Sequence, residues 1–302
     1  MVLKFPCVPN DPNEPCWTGN GFQIGSEKIS VLKYTECNVG WDATLTNFHE
    51  TEAEHGNHFI DRASRSYAIC ELKKRLLNNE NIVLEIGSSS GYLLQEIKKA
   101  LPDIFLLGSD CIPEPLENIA RKRSDIPLLQ FDLVDCPLPD NCVNIVIALN
   151  VLEHIQEDKD ALKQIYRILK PGGYAIIEVP ANPQLYDFYD EQLKHFRRYD
   201  LKALVQLSKN CGFMSVQSTH LGFWVYPGFK YAKCHNKKNK SQYDDAQKQN
   251  TIKTEIHLWG HKVNTILYGL MRFELSLGRV ISYPCGIRCL VTLRKPMESI
   301  NP

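Results

Sequence analysis

Apolar residues along this chain follow two alternating patterns. Short apolar runs stand at Ile82–Ile86, "IFLLGSD" (104–110), "PLLQFDL" (127–133), "VNIVIALN" (143–150), "YAIIEVP" (174–180), "FMSVQSTHL" (213–221) and "GIRCLVTLRK" (286–295). Their length and β-branched content predict strands. Between them, apolar residues recur at spacings of three and four over 59–78, 92–100, 113–123, 159–170 and 200–212, which predicts helices. Pro102, the Pro-Gly-Gly at 171–173 and Gly212 serve as stops. Strands alternating with helices predict an α/β fold with a doubly wound, mostly parallel sheet buried on both faces. The last two strands need not run parallel to the rest.

Two regions fall outside this rhythm. Residues 1 to about 45 are broken by proline, glycine and asparagine and predict irregular structure. Between the last two strands, residues 222–286 are too long for a simple connection, so they should have a task of their own. They begin with "GFWVYPGFKYAKC", cross a lysine-rich polar stretch (234–253) and end in a helix. On it Ile256, Trp259, Val263, Ile266, Leu267, Leu270 and Phe273 share a face. The expected division is an N-terminal extension (1–58), a core (59–221), an insertion (222–286), and a final core strand with its tail (287–302).

Composition narrows the class. The chain has 302 residues, 43% of them hydrophobic, enough for one large core. Thirty-five basic residues balance 35 acidic ones, so no nucleic-acid partner is expected. The proline-broken start has no apolar segment of a secretory leader, and no run is long enough to span a bilayer. A cytoplasmic location is therefore expected. The 11 cysteines include no C-x-x-C pair and fit reduced, partly buried thiols. Cys7 with Cys16, and the group His49, His55 and His58 with its neighbouring glutamates, are the residues that could ligate a metal. Tighter ligand pairing is usual, and a solvated helix face explains the histidines. No metal is expected.

The strand ends carry the chemistry. Gly87 and Gly91 bracket the turn after the first strand, and that turn opens a helix whose free amides suit a polar ligand. Ser88, Ser89 and Ser90 fill the space between them, so the G-x-G-x-x-G dinucleotide pattern fails. Glu85, at the end of the strand, would repel a pyrophosphate and favour an ammonium. A nicotinamide enzyme is disfavoured on both grounds. Asp110 ends the second strand, 19 residues past Gly91, where a carboxylate can accept both hydroxyls of a ribose. Asp132 follows the third strand, placed to accept from an exocyclic amine. Asn150 ends the fourth strand, before "VLEHI".

Taken together, "VLEIGSSSGYLL", "LLGSD", "QFDLVDCPLPDNCVNIVIALNVLEHI" and "LKPGGYAIIEVP" resemble the successive motifs of class I S-adenosylmethionine-dependent methyltransferases. "HFRRYDLKALVQLSKNCGF" resembles the small-molecule branch of that family. The resemblance implies a seven-stranded, Rossmann-like sheet with its last strand antiparallel, and S-adenosyl-L-methionine as cofactor. It places the methionine end on Glu85, Gly87, Ser88, Ser89 and Gly91. Asp110 would hold the ribose, Asp132 the adenine amine and Leu133 the ring face, while Asn150 would lie under the sulfonium; Cys111, beside Asp110, is also expected to bind the cofactor. Ser89 stands where the family's loop has its middle glycine. The family's arginine for the methionine carboxylate falls on Arg65 or on Arg62.

An oxygen or nitrogen acceptor needs a base near neutral pH. His154 and His195 are the candidates, with Glu153 acting through His154. Arg197 and Arg198 could meet an anionic acceptor. The expected acceptor is a small molecule, a glycan or a lipid-linked compound. Residues 222–286, with Trp224, Tyr226, Phe229 and Tyr231, are the candidate acceptor lid. A peripheral membrane contact and a homodimer contact are the other readings of that segment. The competing functions are an RNA or protein methyltransferase and a non-catalytic binder of the donor.

Overall fold

In the computed structural model, the protein is described over residues 3–9, 11–35, 56–76, 81–239, 261–278 and 280–297. His49, His55, Ile256 and Trp259, and most of the lysine-rich stretch, lie outside these residues.

The forecast alternation is present. The strands are β1 (Cys16–Trp17), β2 (Phe22–Ile24), β3 (Glu27–Ile29), β4 (Val31–Lys33), β5 (Ile82–Ile86), β6 (Phe105–Asp110), β7 (Leu128–Gln130), β8 (Val143–Leu149), β9 (Leu169–Pro180), β10 (Met214–Leu221) and β11 (Arg288–Arg294). The helices are α1 (Phe59–Arg75), α2 (Tyr92–Ala100), α3 (Pro113–Lys122), α4 (Asp158–Ile168), α5 (Phe188–Gln192), α6 (Leu201–Asn210), α7 (Tyr226–Asn239) and α8 (His261–Leu277).

The main sheet has the order β10-β11-β9-β8-β5-β6-β7-β4, with β11 antiparallel to both neighbours and the other pairs parallel. Its eight strands correct the expected seven. The extra strand is β4, from the region that was expected to be irregular. It pairs along the edge of β7, with Leu32 opposite Leu129, and gives that edge a hydrogen-bonded neighbour. The same N-terminal region also folds β1, β2 and β3 into a small antiparallel sheet. Strands of two or three residues are too short to display a period of two, so the pattern could not reveal them.

Two apolar layers sandwich the sheet. On one face, Leu84, Val146 and Ile177 pack with Ala161 and Ile165 of α4 and Leu204 of α6. On the other, Val83, Ile145 and Ile176 pack with Ala63 and Tyr67 of α1, Leu94 of α2, Leu116 of α3 and Met271 of α8. Alternation along β5 puts Glu85 on the second face, at the end nearest α1 and α2.

Helix α8 departs from its forecast face. Ile266 and Phe273 are exposed, while Asn264, Met271 and Glu274 are buried. Polar anchors set the rotation of this helix. Asn264 Nδ2 donates to the Asn57 carbonyl at 2.9 Å, and Tyr268 carries the Arg62 guanidinium 3.9 Å above its ring. Glu274 accepts from the amides of Gly222 (2.6 Å), Phe223 (3.0 Å) and Trp224 (3.4 Å). Charge-assisted bonds to three amides outweigh the exposure of Val263, Ile266 and Phe273.

Candidate active site

Strand order reverses between β5 and β8, because the chain steps outward through β6 and β7 before returning to β8. A crevice opens at such a switch point, beyond the carboxyl ends of the strands. Here it is a cleft of about 1360 Å³. Glu85, Gly87, Ser88, Ser89, Asp110, Cys111, Asp132, Leu133, Asn150, His154, His195 and Arg65 all line it. Gly91 and Arg62 are not among the lining residues.

The turn after β5 is built from backbone constraints. Gly87 has φ +74°, and a Cβ there would meet Val151 Cγ2 at 2.5 Å. Gly91, at φ +75°, is closed in by Ile119, so packing against α3 also requires glycine. Ser89, in place of the family's middle glycine, takes the left-handed conformation at φ +44°. Its amide donates to Asp110 Oδ2 at 2.8 Å, while Ile112 N donates to Asp110 Oδ1 at 3.1 Å. Asp110 thus clamps its own turn to the turn after β5. Burial raises its pKa against the pull of those amides.

Glu85 is buried, and its Oε2 has no hydrogen-bond partner among the described residues. Burial, then the charge of Asp110, push its pKa well above the ordinary carboxylate range. An unsatisfied buried acceptor on a cleft wall suits an ammonium. Arg65 lies on the same wall, with Nε on Glu96 at 2.8 Å and a terminal nitrogen on the Gly56 carbonyl at 2.8 Å. Asp132 Oδ1 accepts from Val134 N at 3.0 Å, capping the 3-10 turn that presents Leu133. The unpartnered Oε2 of Glu85, the left-handed turn and the strand-end acids fit a ligand with an amino-acid end and a nucleoside end.

The other half of the cleft centres on two histidines. The rings of His154 and His195 stand edge to face, with centroids 4.7 Å apart. His195 Nδ1 bonds Asp190 Oδ1 at 2.8 Å, and Arg198 Nε donates to Asp190 Oδ2 at 2.8 Å. Burial disfavours a charged Asp190, but the His195 bond and the Arg198 guanidinium outweigh it and hold its carboxyl well below the usual range. Burial also lowers the His195 pKa, against the pull of Asp190. A neutral imidazole that donates through Nδ1 keeps Nε2 as its basic nitrogen. Beneath the pair, Glu153 is fully buried, neither carboxylate oxygen has a partner among the described residues, and burial lifts its pKa to about 8.

Helix α7 walls this half. Trp224, Phe229 and Tyr231 line the cleft, whereas Tyr226 turns away to pack with Leu185 and Ile287. Lys233, also on α7, is buried and pairs with Asp187 at 2.8 Å, its ammonium 4.2 Å from the Tyr189 ring centroid. Arg197 instead pairs with Asp158. Sequence reasoning missed Asp190, Asp187, Lys233 and Glu178. Glu178 was findable, because "IIEVP" places an acid late in a buried strand just as "VLEIG" does. It accepts from Asn150 Nδ2 at 3.2 Å and from Ser64 at 2.8 Å.

Residues 61–218 match the profile of a family described as a methyltransferase domain. The chain belongs to that family, as a class I S-adenosylmethionine-dependent methyltransferase. It is 35% identical over 126 residues to YdaC, an uncharacterised methyltransferase of Bacillus subtilis, covering 40% of this chain and 68% of that protein. It is 25% identical over 136 residues to a candidate S-adenosylmethionine-dependent methyltransferase of Mycolicibacterium smegmatis, covering 43% of this chain and 51% of that one. The matched stretches span 68% and 51% of the length of these two relatives. A crystal structure of a candidate sarcosine dimethylglycine methyltransferase from Galdieria sulphuraria shares the fold, with a TM-score of 0.58 at 13% identity, covering 84% of this chain and 98% of that one. Among the described residues no helix is long and apolar enough to cross a membrane.

Proposed function

We propose that the protein transfers a methyl group from S-adenosylmethionine to an oxygen or nitrogen of a small-molecule, glycan or lipid-linked acceptor. The observation that carries this reading is one cleft with two chemically distinct halves. Its volume of about 1360 Å³ exceeds the roughly 300–1,000 Å³ of a single-ligand pocket, which leaves room for donor and acceptor together.

In this reading Glu85 takes the donor ammonium, Arg65 its carboxylate, Asp110 with Cys111 the ribose, and Asp132 with Leu133 the adenine. Asn150, at the switch point between the halves, faces the reacting centre. The bound sulfonium supplies an activated methyl group and a neutral thioether leaving group. The protein's task is then alignment, exclusion of water and management of the acceptor proton. His154 and His195 hold and activate the acceptor, with Asp190 fixing the tautomer of His195. The aromatic wall of α7 supports an acceptor with an extended apolar or ring-bearing part.

The test is incubation with isotopically labelled donor and fractionated metabolite, glycan and lipid extracts, read by mass spectrometry. A labelled compound in one of these fractions is expected; label only in added RNA or protein would overturn the reading. His195→Ala should cut turnover far more than donor affinity, and unchanged turnover would reduce His195 to a structural role.

A further inference from the structure

We propose that Glu153, His154 and His195 form a divalent-cation site at the acceptor end of the cleft, where the cation activates an acceptor hydroxyl. This rests on the methyl-transfer reading and narrows it from oxygen or nitrogen to oxygen.

Three observations converge. First, one potential ligand atom from each of the three residues lies within 4.8 Å of the other two. Ligands about 2.0–2.2 Å from one ion sit on the order of 3–4 Å apart, so side-chain adjustment of about an ångström closes the set. The two segments are already tied, because Phe196 N donates to the Glu153 carbonyl at 2.8 Å. Second, both Glu153 carboxylate oxygens are buried without a hydrogen-bond partner among the described residues. Buried carboxylates are paired or bind metal, and the neighbouring guanidiniums are engaged elsewhere, Arg198 with Asp190 and Arg288 with Glu178. Third, His195 bonds Asp190 through Nδ1. A metal-binding imidazole commonly has its other nitrogen on a carboxylate, which orients the ring and raises its basicity. Asn150 Oδ1 is a further buried oxygen without a partner on the same cleft wall.

Two imidazoles and one carboxylate suit Mn²⁺, Fe²⁺, Co²⁺ or Zn²⁺ better than Ca²⁺. Three protein ligands leave positions open for the acceptor. The acceptor hydroxyl, polarised by the cation, loses its proton to solvent at the cleft mouth before the methyl group is transferred. Its oxygen then forms the new C–O bond as the donor C–S bond breaks, releasing adenosylhomocysteine.

The experiment uses the full chain, treated with chelator and titrated with Co²⁺, followed by visible d–d absorption and calorimetry. Adenosylhomocysteine affinity is measured in parallel. Stoichiometric Co²⁺ binding with tetrahedral or five-coordinate bands is expected. Glu153→Gln and His154→Asn should weaken it about tenfold or more while leaving adenosylhomocysteine affinity and the melting temperature unchanged. Absence of saturable Co²⁺ binding, or Co²⁺ binding unaffected by both substitutions, with adenosylhomocysteine still bound, would overturn the cation site alone. Failure of the wild type to bind adenosylhomocysteine would overturn the donor reading and this proposal with it.

Discussion

Asp110 carries two loads that a pair of substitutions can separate. Its carboxylate accepts the amides of Ser89 at 2.8 Å and Ile112 at 3.1 Å, and in the proposed complex it also accepts ribose hydroxyls. Hydrogen bonds to a charged group contribute about 1.5–3 kcal/mol each. Asp110→Ala removes both amide bonds, so the apo protein should lose about 3–6 kcal/mol. At roughly 2–4 °C per kcal/mol for a chain somewhat shorter than this one, the melting temperature should fall by about 6–24 °C. Asp110→Asn keeps one carbonyl acceptor and should lose about half of that. Losing one charge-assisted ribose bond corresponds to roughly 10- to 100-fold in affinity. Calorimetric titration with adenosylhomocysteine, alongside thermal denaturation, measures both effects. An Asp110→Asn protein that melts lower but binds adenosylhomocysteine as tightly as wild type would refute the ribose role and leave Asp110 as a turn clamp.

Three further outcomes are expected. Arg65→Ala should weaken adenosylhomocysteine about tenfold or more, whereas Arg62→Ala should change affinity little and cost about 1 kcal/mol of stability through its lost contact with Tyr268; fluorescence titration and melting curves of the two variants distinguish them. Glu85 has a folded pKa above its ordinary 4.5, so folding takes up a proton. The apo protein should therefore lose stability as pH rises above about 4.5, until the folded carboxyl itself ionises, and donor affinity should rise with that ionisation. Glu85→Gln should flatten both pH profiles, and a pH-dependent affinity that survives the substitution would exclude Glu85 as the source. Ser89 holds φ +44°, so Ser89→Gly should leave donor affinity within about threefold and stability within about 1 kcal/mol, while Ser89→Val should lower both; a tenfold loss of affinity in the glycine variant would give the serine hydroxyl a direct role.

The local grammar of the chain determined the alternating fold and the strand-end residues of the cleft half proposed for the donor. β5, β6 and β8 are five to seven residues long and strongly apolar, and the residue that ends each strand inherits its position from the strand itself. Glu85, Asp110 and Asn150 could therefore be located by counting. Gly87 was legible because a left-handed turn has few alternatives to glycine. Ser89 shows the limit of that argument, since the Asp110 carboxylate, 21 residues away in sequence, accepts its amide and helps hold a conformation that serine alone disfavours.

The tertiary structure decided everything that depends on contacts distant in sequence. The eighth strand exists because β7 offered an edge to a three-residue segment with no periodicity of its own. The rotation of α8 follows from Glu274 capping three amides some 50 residues away, which prevailed over the apolar stripe. The half of the cleft proposed for the acceptor needed Asp190 against His195, Arg198 against Asp190, and α7 along its wall. Side-chain chemistry can name such residues as reactive, but which of them meet is fixed only when burial strips them of water and leaves each charge to find its partner.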